Sequence, residues 1–409
     1  MGLMYAASGM MNGFVAVSLA QLLTADGVSL VRVSEIASFI LIPSYISFLL
    51  TPLVDGGLPR RVWALLLALI AALCLGISIP LLHAATASGG HTRGTTLLVA
   101  TLFIGYLASQ IYSSALGGMV PNLVAPSRQS EASAWLNVAY LAMTGGGGAL
   151  AVFEVRNFHA LAAILVPLPI VLCAMPMLFV REERAPRAMR DAMGQLFTDL
   201  WATARQPRYL IALLVFVVPS ATFALQNLFG GMGADFHASD RLTNLSVGLG
   251  FTIACSIGAA LGGPLSNRFD RRLLFIAPAM LAALGSLAMV YGPHTPWVFA
   301  GGMFFYNLMA GINYTATSAL VFQIVGRNNP LSATQYSVCI AACNLAITGA
   351  LLTDGRGAQH SGAFGALTVD ALLSLVLGAL VLALVWRYGG GFPKPPIAEE
   401  SPVSGPAAA

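Results

Sequence analysis

The sequence predicts an all-α membrane protein with twelve transmembrane helices in two six-helix, pseudo-symmetric halves, and three observations predict it. Of 409 residues, 57% are hydrophobic and only 9% charged, with a mean hydropathy of +0.79, against roughly a quarter charged in a soluble domain. The apolar residues fall in about twelve long, unalternating Leu/Ala/Val/Gly runs, each near the ~20 residues a spanning helix needs. Backbone in hydrocarbon must satisfy its own hydrogen bonds, and runs without alternation do so as helices rather than as barrel strands. Finally, one short pattern is written twice, Pro52-Leu53-Val54-Asp55 with Arg60-Arg61 and Pro264-Leu265-Ser266-Asn267 with Arg271-Arg272, about 212 residues apart. Each copy closes one apolar run and opens the next, as an internal repeat would.

The first run, from Gly2, lacks a basic leader and carries Asn12 and Gln21, so it reads as a retained span and not as a signal peptide. Runs near Ser34, Val62, Thr95, Ser133 and Ala160 complete a first half over residues 1–180. Residues 181–208, with six arginines, follow as a linker. Within them 191–204 has the pattern of a short surface helix. The second half, residues 209–387, has runs from Tyr209, Leu242, Leu273, Trp297, Leu331 and Ala363, and the Gly- then Pro/Ala-rich tail 388–409 predicts disorder. All five cysteines sit in apolar runs without metal or disulfide spacing.

Counting Lys and Arg by alternate loops puts fifteen of the twenty on one side, that of Arg60, Arg61, Arg128, the linker and Arg268. The positive-inside rule makes that side cytoplasmic, with both termini on it. The net charge of +4 is therefore topology and not a nucleic-acid patch. The expected partners are the lipid bilayer, a small-molecule substrate and protons, for a monomer without cofactor or metal.

Polarity has a period of three helices. The third, sixth, ninth and twelfth are almost purely aliphatic and predict lipid-facing positions. The first carries Tyr5, Ser8 and Asn12; the fourth Tyr106, Gln110, Ser113 and Ser114; the seventh Ser220, Gln226 and Asn227; the tenth Tyr306, Asn307, Asn313, Tyr314 and Thr317. Amides and hydroxyls are costly in hydrocarbon, so these residues predict a pathway between the halves, with helix-to-helix glue as the alternative use. Gly145 to Gly148 and Gly258, Gly262 and Gly263 predict close helix packing.

Asp370 reads as the only carboxylate inside an apolar span, and Glu35 stands at a helix end. Both are candidates for proton coupling, with a carboxylate reaching back to the interface as the simpler reading of Asp370. Asp55 is placed to meet the positive end of the eleventh helix, where Asn329-Pro330 supplies cap and first-turn chemistry. With Arg60, Arg61, Asn267, Arg268, Arg271 and Arg272 it forms a candidate gate. Six single histidines, scattered over loops and helix ends, suggest no catalytic or metal cluster.

The repeated pattern resembles the signature between the second and third helices of the major facilitator superfamily, in degenerate form, with Asp55 kept and Asn267 in place of the second acid. The chain also resembles the AmpG-type muropeptide permeases and the acetyl-CoA transporters through Gly9 to Gly13, Asp26-Gly27-Val28-Ser29-Leu30, Pro43 with Phe48-Leu49, and Leu331-Ser332-Ala333-Thr334-Gln335-Tyr336. The resemblance implies a non-enzymatic, solute-moving fold: a proton-coupled secondary transporter of the bacterial inner membrane that works by alternating access, with a peptidoglycan fragment as substrate. Two departures bear on that substrate. Ser47 stands where a basic residue is usual, and residues 110–116 of the fourth helix carry no acid. A neutral or amphiphilic solute, such as a siderophore, is the alternative cargo; a membrane sensor or a polytopic membrane enzyme is the alternative class.

Overall fold

The computed structural model describes residues 1–28, 30–86, 93–180, 198, 205, 213–327 and 329–388. The first half comprises α1 (Gly2–Ala25), α2 (Leu30–Leu41, continued by Pro43–Ile46 and the tight turns Ser47–Leu49 and Thr51–Leu53), α3 (Arg60–Thr86), α4 (Arg93–Leu123), α5 (Pro126–Phe158) and α6 (Ala162–Phe179). In the second half are α7 (213–236), α8 (Asp240–Arg268), α9 (Arg271–Tyr291), α10 (Pro296–Val325), and the stretch Ser332–Tyr388, which holds α11 (332–360) and α12 (363–388).

Among the described residues nine helices are long and apolar enough to cross a membrane. That number is consistent with twelve spans, because the chain hides three of them in identifiable ways. α2 is divided at Pro43, which cannot donate to the helical ladder. α7 unwinds over 218–223, around Pro219, before resuming as short turns. α11 and α12 run together and reverse only at Ser361 and Gly362, the latter at φ +61°, a conformation glycine adopts without strain.

α1 and α10 are the most buried of the long spans, as central helices should be. α3, α6, α9 and α12 expose aliphatic stripes at helical spacing, such as Leu372, Val376, Leu380 and Leu384 on α12. Small residues let the halves approach. A Cβ on Gly145 of α5 would overlap the Thr252 hydroxyl of α8, and one on Gly118 of α4 would lie 2.5 Å from the Ala333 nitrogen of α11. Gly258 and Gly262 of α8 face α10 in the same way.

Two expectations are corrected here. The run from Leu331 ends later than its apolar stretch, since α11 continues through Asp354 to His360, where the alternate-loop count places Arg356 in a loop, and Asp354 is fully buried. Glu154 of α5 is also buried, so Asp370 is not the only acid within a span. Apart from residue 198, the linker helix of 191–204 lies outside the described residues, as does the tail beyond Tyr388.

Candidate functional site

At the arginine-rich end the halves are tied by Asp55. Its Oδ1 accepts from Arg60 Nε (3.0 Å) and from the Ala333 N–H (3.1 Å); its Oδ2 accepts from the Thr334 N–H (2.8 Å) and hydroxyl (2.7 Å). The carboxylate thus occupies the N-terminus of α11, where unpaired amides and the helix dipole favour an anion. Asn329 accepts from the Leu331 N–H at 2.9 Å and completes the cap. Arg60 also donates to the Pro330 carbonyl (3.2 Å). Burial is the largest influence on the Asp55 carboxyl and pushes it above the ordinary carboxylate range, while Arg60 and the Thr334 and Ala333 donors pull it back.

The second copy of the pattern is built differently. Asn267 and Arg268 are exposed. Asp270 instead accepts from the Arg272 N–H (2.8 Å) and pairs with the Arg272 guanidinium (2.9 Å), capping α9. Arg271 crosses to the first half, donating to Ser130 Oγ (3.1 Å), and also reaches the Ala319 carbonyl (3.2 Å). Arg61 donates to the Val180 carbonyl (3.0 Å) beyond α6.

Towards mid-depth the expected polar residues of α1 and α4 meet. Ser113 donates to Ser8 (2.6 Å) and Tyr106 to Asn12 (3.0 Å). Tyr5 is paired across the halves with Tyr336 of α11 (2.8 Å). Gln110 is half-buried, and Ser114 donates back to its carbonyl (3.0 Å). Further cross-half bonds join residues not anticipated from sequence: Thr348 to Tyr45 (2.7 Å), Asn344 to the Ser44 carbonyl (3.1 Å), and Thr51 to Ser337 (3.1 Å). Asn344 and Thr348 are four apart, one helical face of α11, and that spacing was the available signal.

α10 divides its polar residues between two uses. Asn307 is fully buried, donating to the Met303 carbonyl (2.9 Å) and lying against Cys255 of α8, while Asn313 donates to the Phe275 carbonyl of α9. These amides join helices. Tyr314 donates to Gln226 of α7 (3.1 Å), and Thr317 to the Asn313 carbonyl (2.8 Å). Asn227 is exposed and closes its own turn through the Ala224 carbonyl (3.1 Å).

The break in α7 is the least regular point of the interior. Phe223 is held at φ +52°, a region costly for a residue with a Cβ. Its ring sits edge-on to Tyr306 (5.2 Å) and Tyr314 (6.3 Å). Ser220 Oγ and Gln226 Nε2 are buried without a hydrogen-bond partner among the described residues. Beside the break lies a cavity of about 40 Å³ lined by Ala221, Thr222, Asn313, Tyr314, Thr317 and Cys343, among others. Unwound backbone at membrane depth is tolerated where it is enclosed by protein or lines a polar cavity. A solute pocket is usually ~300–1,000 Å³, so this space is too small to hold a solute in the described arrangement.

The two carboxylate candidates separate. Asp370 does not reach the interface: it is 2% exposed and accepts from the Tyr306 hydroxyl at 3.2 and 3.3 Å. A helix with an aliphatic outer stripe thus turns its one acid inward, because an inward hydroxyl compensates the desolvation that lipid would impose. Glu35 is exposed and paired with Arg32 at 2.7 Å, one turn away on the same helix, and the structure does not bring it to the interior.

Comparison with known proteins gives three findings. The profile of the Major Facilitator Superfamily matches residues 1–329. A segment is 29% identical over 126 residues to inositol transporter 4 of Arabidopsis thaliana, spanning 28% of this chain and 21% of that protein. Among solved structures, the fold is similar to the proton:xylose symporter XylE (TM-score 0.65, 14% identity, 95% of this chain and 94% of that one). It is likewise similar to the E. coli fucose:proton symporter FucP (0.67, 15%, 93% and 95%) and to a bacterial homologue of the iron transporter ferroportin in an outward-facing state (0.67, 18%, 95% and 98%).

Proposed function

Because the chain belongs to the Major Facilitator Superfamily, we propose that it is a proton-driven secondary transporter that carries a small neutral solute by rocking its two halves about a mid-depth site. The arginine-rich end is the cytoplasmic side of a bacterial inner membrane, with both termini there, and the chain works as a monomer. The observation that carries this reading is the seam itself: the polar residues of α1, α4, α7, α10 and α11 meet at or beside it, and Asp55 ties its arginine-rich end. The latch involving Arg60 and Arg271 makes the described arrangement closed to the cytoplasm.

The lining narrows the cargo. Tyr5, Ser8, Asn12 and Tyr106 in the first half and Gln226 and Tyr314 in the second offer hydroxyls and amides, and the cavity beside the α7 break, lined by second-half residues, has no Lys or Arg in its lining. An anionic peptidoglycan fragment would bring carboxylates to a site without a cation to meet them. A neutral, hydroxyl-rich or amphiphilic solute suits these donors and acceptors better.

The test is uptake into liposomes holding the purified protein under an imposed proton gradient, with a neutral polyol, a siderophore and a muropeptide as probes. Uptake of a neutral probe, lost in Asp370→Asn and kept in Glu35→Gln, is the expected result. Muropeptide uptake alone would overturn the cargo assignment; no gradient-driven uptake of any probe would overturn the transport reading.

A further inference from the structure

Asp354 was absent from every expectation drawn from sequence, and it is the most unusual side chain in the interior. It is 0% exposed, and both of its carboxylate oxygens are buried with no hydrogen-bond partner among the described residues. α11 and α12 are antiparallel and touch backbone to backbone at Gly357 and Gly365. Asp354 lies one turn from that contact on α11, and Asp370 lies a little over one turn from it on α12. Asp370 accepts from the Tyr306 hydroxyl of α10, and Asp354 stands on the same side of the Gly357–Gly365 contact along the two helices. Asp370 is seven positions past the start of α12 at Ala363 and Asp354 six before His360, so both stand about 10 Å along their helices from the arginine-poor end.

We propose that Asp354 and Asp370 form a two-carboxylate site that holds one exchangeable proton between α11 and α12, with Tyr306 as its positioning residue. The proposal rests on the transport reading for its purpose, but not for its geometry. Two ionised carboxylates cannot share a small, dry volume without a cation between them, and a single shared proton turns the repulsion into a hydrogen bond. The surroundings supply no such cation among the described residues. α10 contributes Tyr306, with Tyr314 two turns on; the tyrosines of α4, Tyr106 and Tyr112, are bonded to Asn12 and the Met4 carbonyl of α1, Tyr45 of α2 is bonded to Thr348, and Arg271, Arg272 and Tyr291 are at the ends of α9. On α11 itself Arg356 and His360 are exposed, and on α12 Arg387 is at the far end. Asp235 accepts from the Ala363 N–H (3.2 Å) at the start of α12, and His294 is stacked on Phe364 (4.2 Å) one turn outside the pair.

The route inward also follows from the contacts. Tyr306, bonded to Asp370, touches Phe223 and Phe229 of the broken α7. Loading or unloading the pair therefore changes the partner of the ring against which the α7 break is packed.

Infrared difference spectra of the full chain in liposomes, between about pH 5 and about pH 9 in choline chloride, test this directly. The expected result is a protonated-carboxyl C=O band that titrates in the unaltered protein. Its midpoint is displaced in Asp354→Asn and in Asp370→Asn, and the band is absent from the double variant. Tyr306→Phe displaces the midpoint while keeping the band. No titrating band in the unaltered protein, or a band that survives in the double variant, would overturn the proposal. So would suppression of the band when sodium replaces choline, which would make the pair a sodium site. The band is read without any solute, so a failed uptake screen bears on transport alone.

Discussion

Removing the Asp55 carboxylate would strand Arg60, which is only 7% exposed, and unsatisfy two amides at the start of α11. Breaking a buried, hydrogen-bonded pair from one side costs about 3–5 kcal/mol, far more than the pair is worth against an apolar substitute. Asp55→Ala is therefore expected to destabilise the closed arrangement by that order, read as a fall in thermal unfolding temperature in detergent. Arg60→Lys should cost less, since it keeps a cation for Asp55, but its point charge cannot serve Asp55 and the Pro330 carbonyl with the fixed fork of a guanidinium. The Tyr5–Tyr336 bond makes a softer contact. A double-mutant cycle with Phe at both positions should give a coupling of about 0.6 kcal/mol, typical of interhelical hydrogen bonds in membranes.

At the scale of elements, α7 and the glycine seams are the parts whose failure can be foreseen. Glycine in a helix interior normally weakens it relative to alanine. At Phe223 the order should invert: Phe223→Gly relieves the left-handed strain that Phe223→Ala retains, and should be the more stable variant by about 1 kcal/mol in matched thermal melts. Gly118→Val places branched carbon against the Ala333 backbone and should hold α4 away from α11. Spin labels at the exposed Arg128 and Arg327, one in each half, report the result as a longer distance across the arginine-rich end than in the unaltered chain.

Much of this was legible in sequence, for reasons that differ from residue to residue. Asp55 could be read because its partner is generic: an anion near a helix start needs only the position of Asn329-Pro330 to be found. The inner faces of α1 and α4 were legible because Tyr5, Ser8 and Asn12, and Tyr106 and Ser113, keep helical spacing. Asp354 was illegible because Asp354-Gly355-Arg356-Gly357 has the composition of a loop, and only the packing of Gly357 on Gly365 makes it helix. Asn307 and Asn313 were legible as polar, with glue as the alternative to a pathway, but the sequence could not choose between the two uses, since their carbonyl partners on their own helix and on α9 carry no sequence signal. The break in α7 was hidden for a related reason: Pro219 bends many membrane helices, and what keeps the segment open is the wedge of Phe223 between two tyrosines.

For the whole molecule, the cross-half bonds run from the arginine-rich end to about mid-depth: Asp55 to α11, Arg271 to Ser130, Ser133 to the Thr315 carbonyl (2.6 Å), Asn137 to Ser318 (3.0 Å), and Thr348 to Tyr45. Opening that end must break several of them together, which makes the transition cooperative rather than gradual. Asp55→Asn and Gly118→Val should consequently lengthen the Arg128–Arg327 distance to the same second value, instead of to two intermediate ones. Two different lengthened distances would show a hinge that yields locally.

α11 is an uninterrupted rod from Ser332, under the Asp55 carboxylate, to His360, and it carries Asp354 less than two turns from its far end. Its 29 residues span about 43 Å at helical rise, and a hydrogen-bonded helix neither stretches nor shortens by much. Whatever rearranges α11 at Asp354 is delivered, undiminished by any joint, to the anchor at Ala333 and Thr334, so the two ends of the bilayer are mechanically one address.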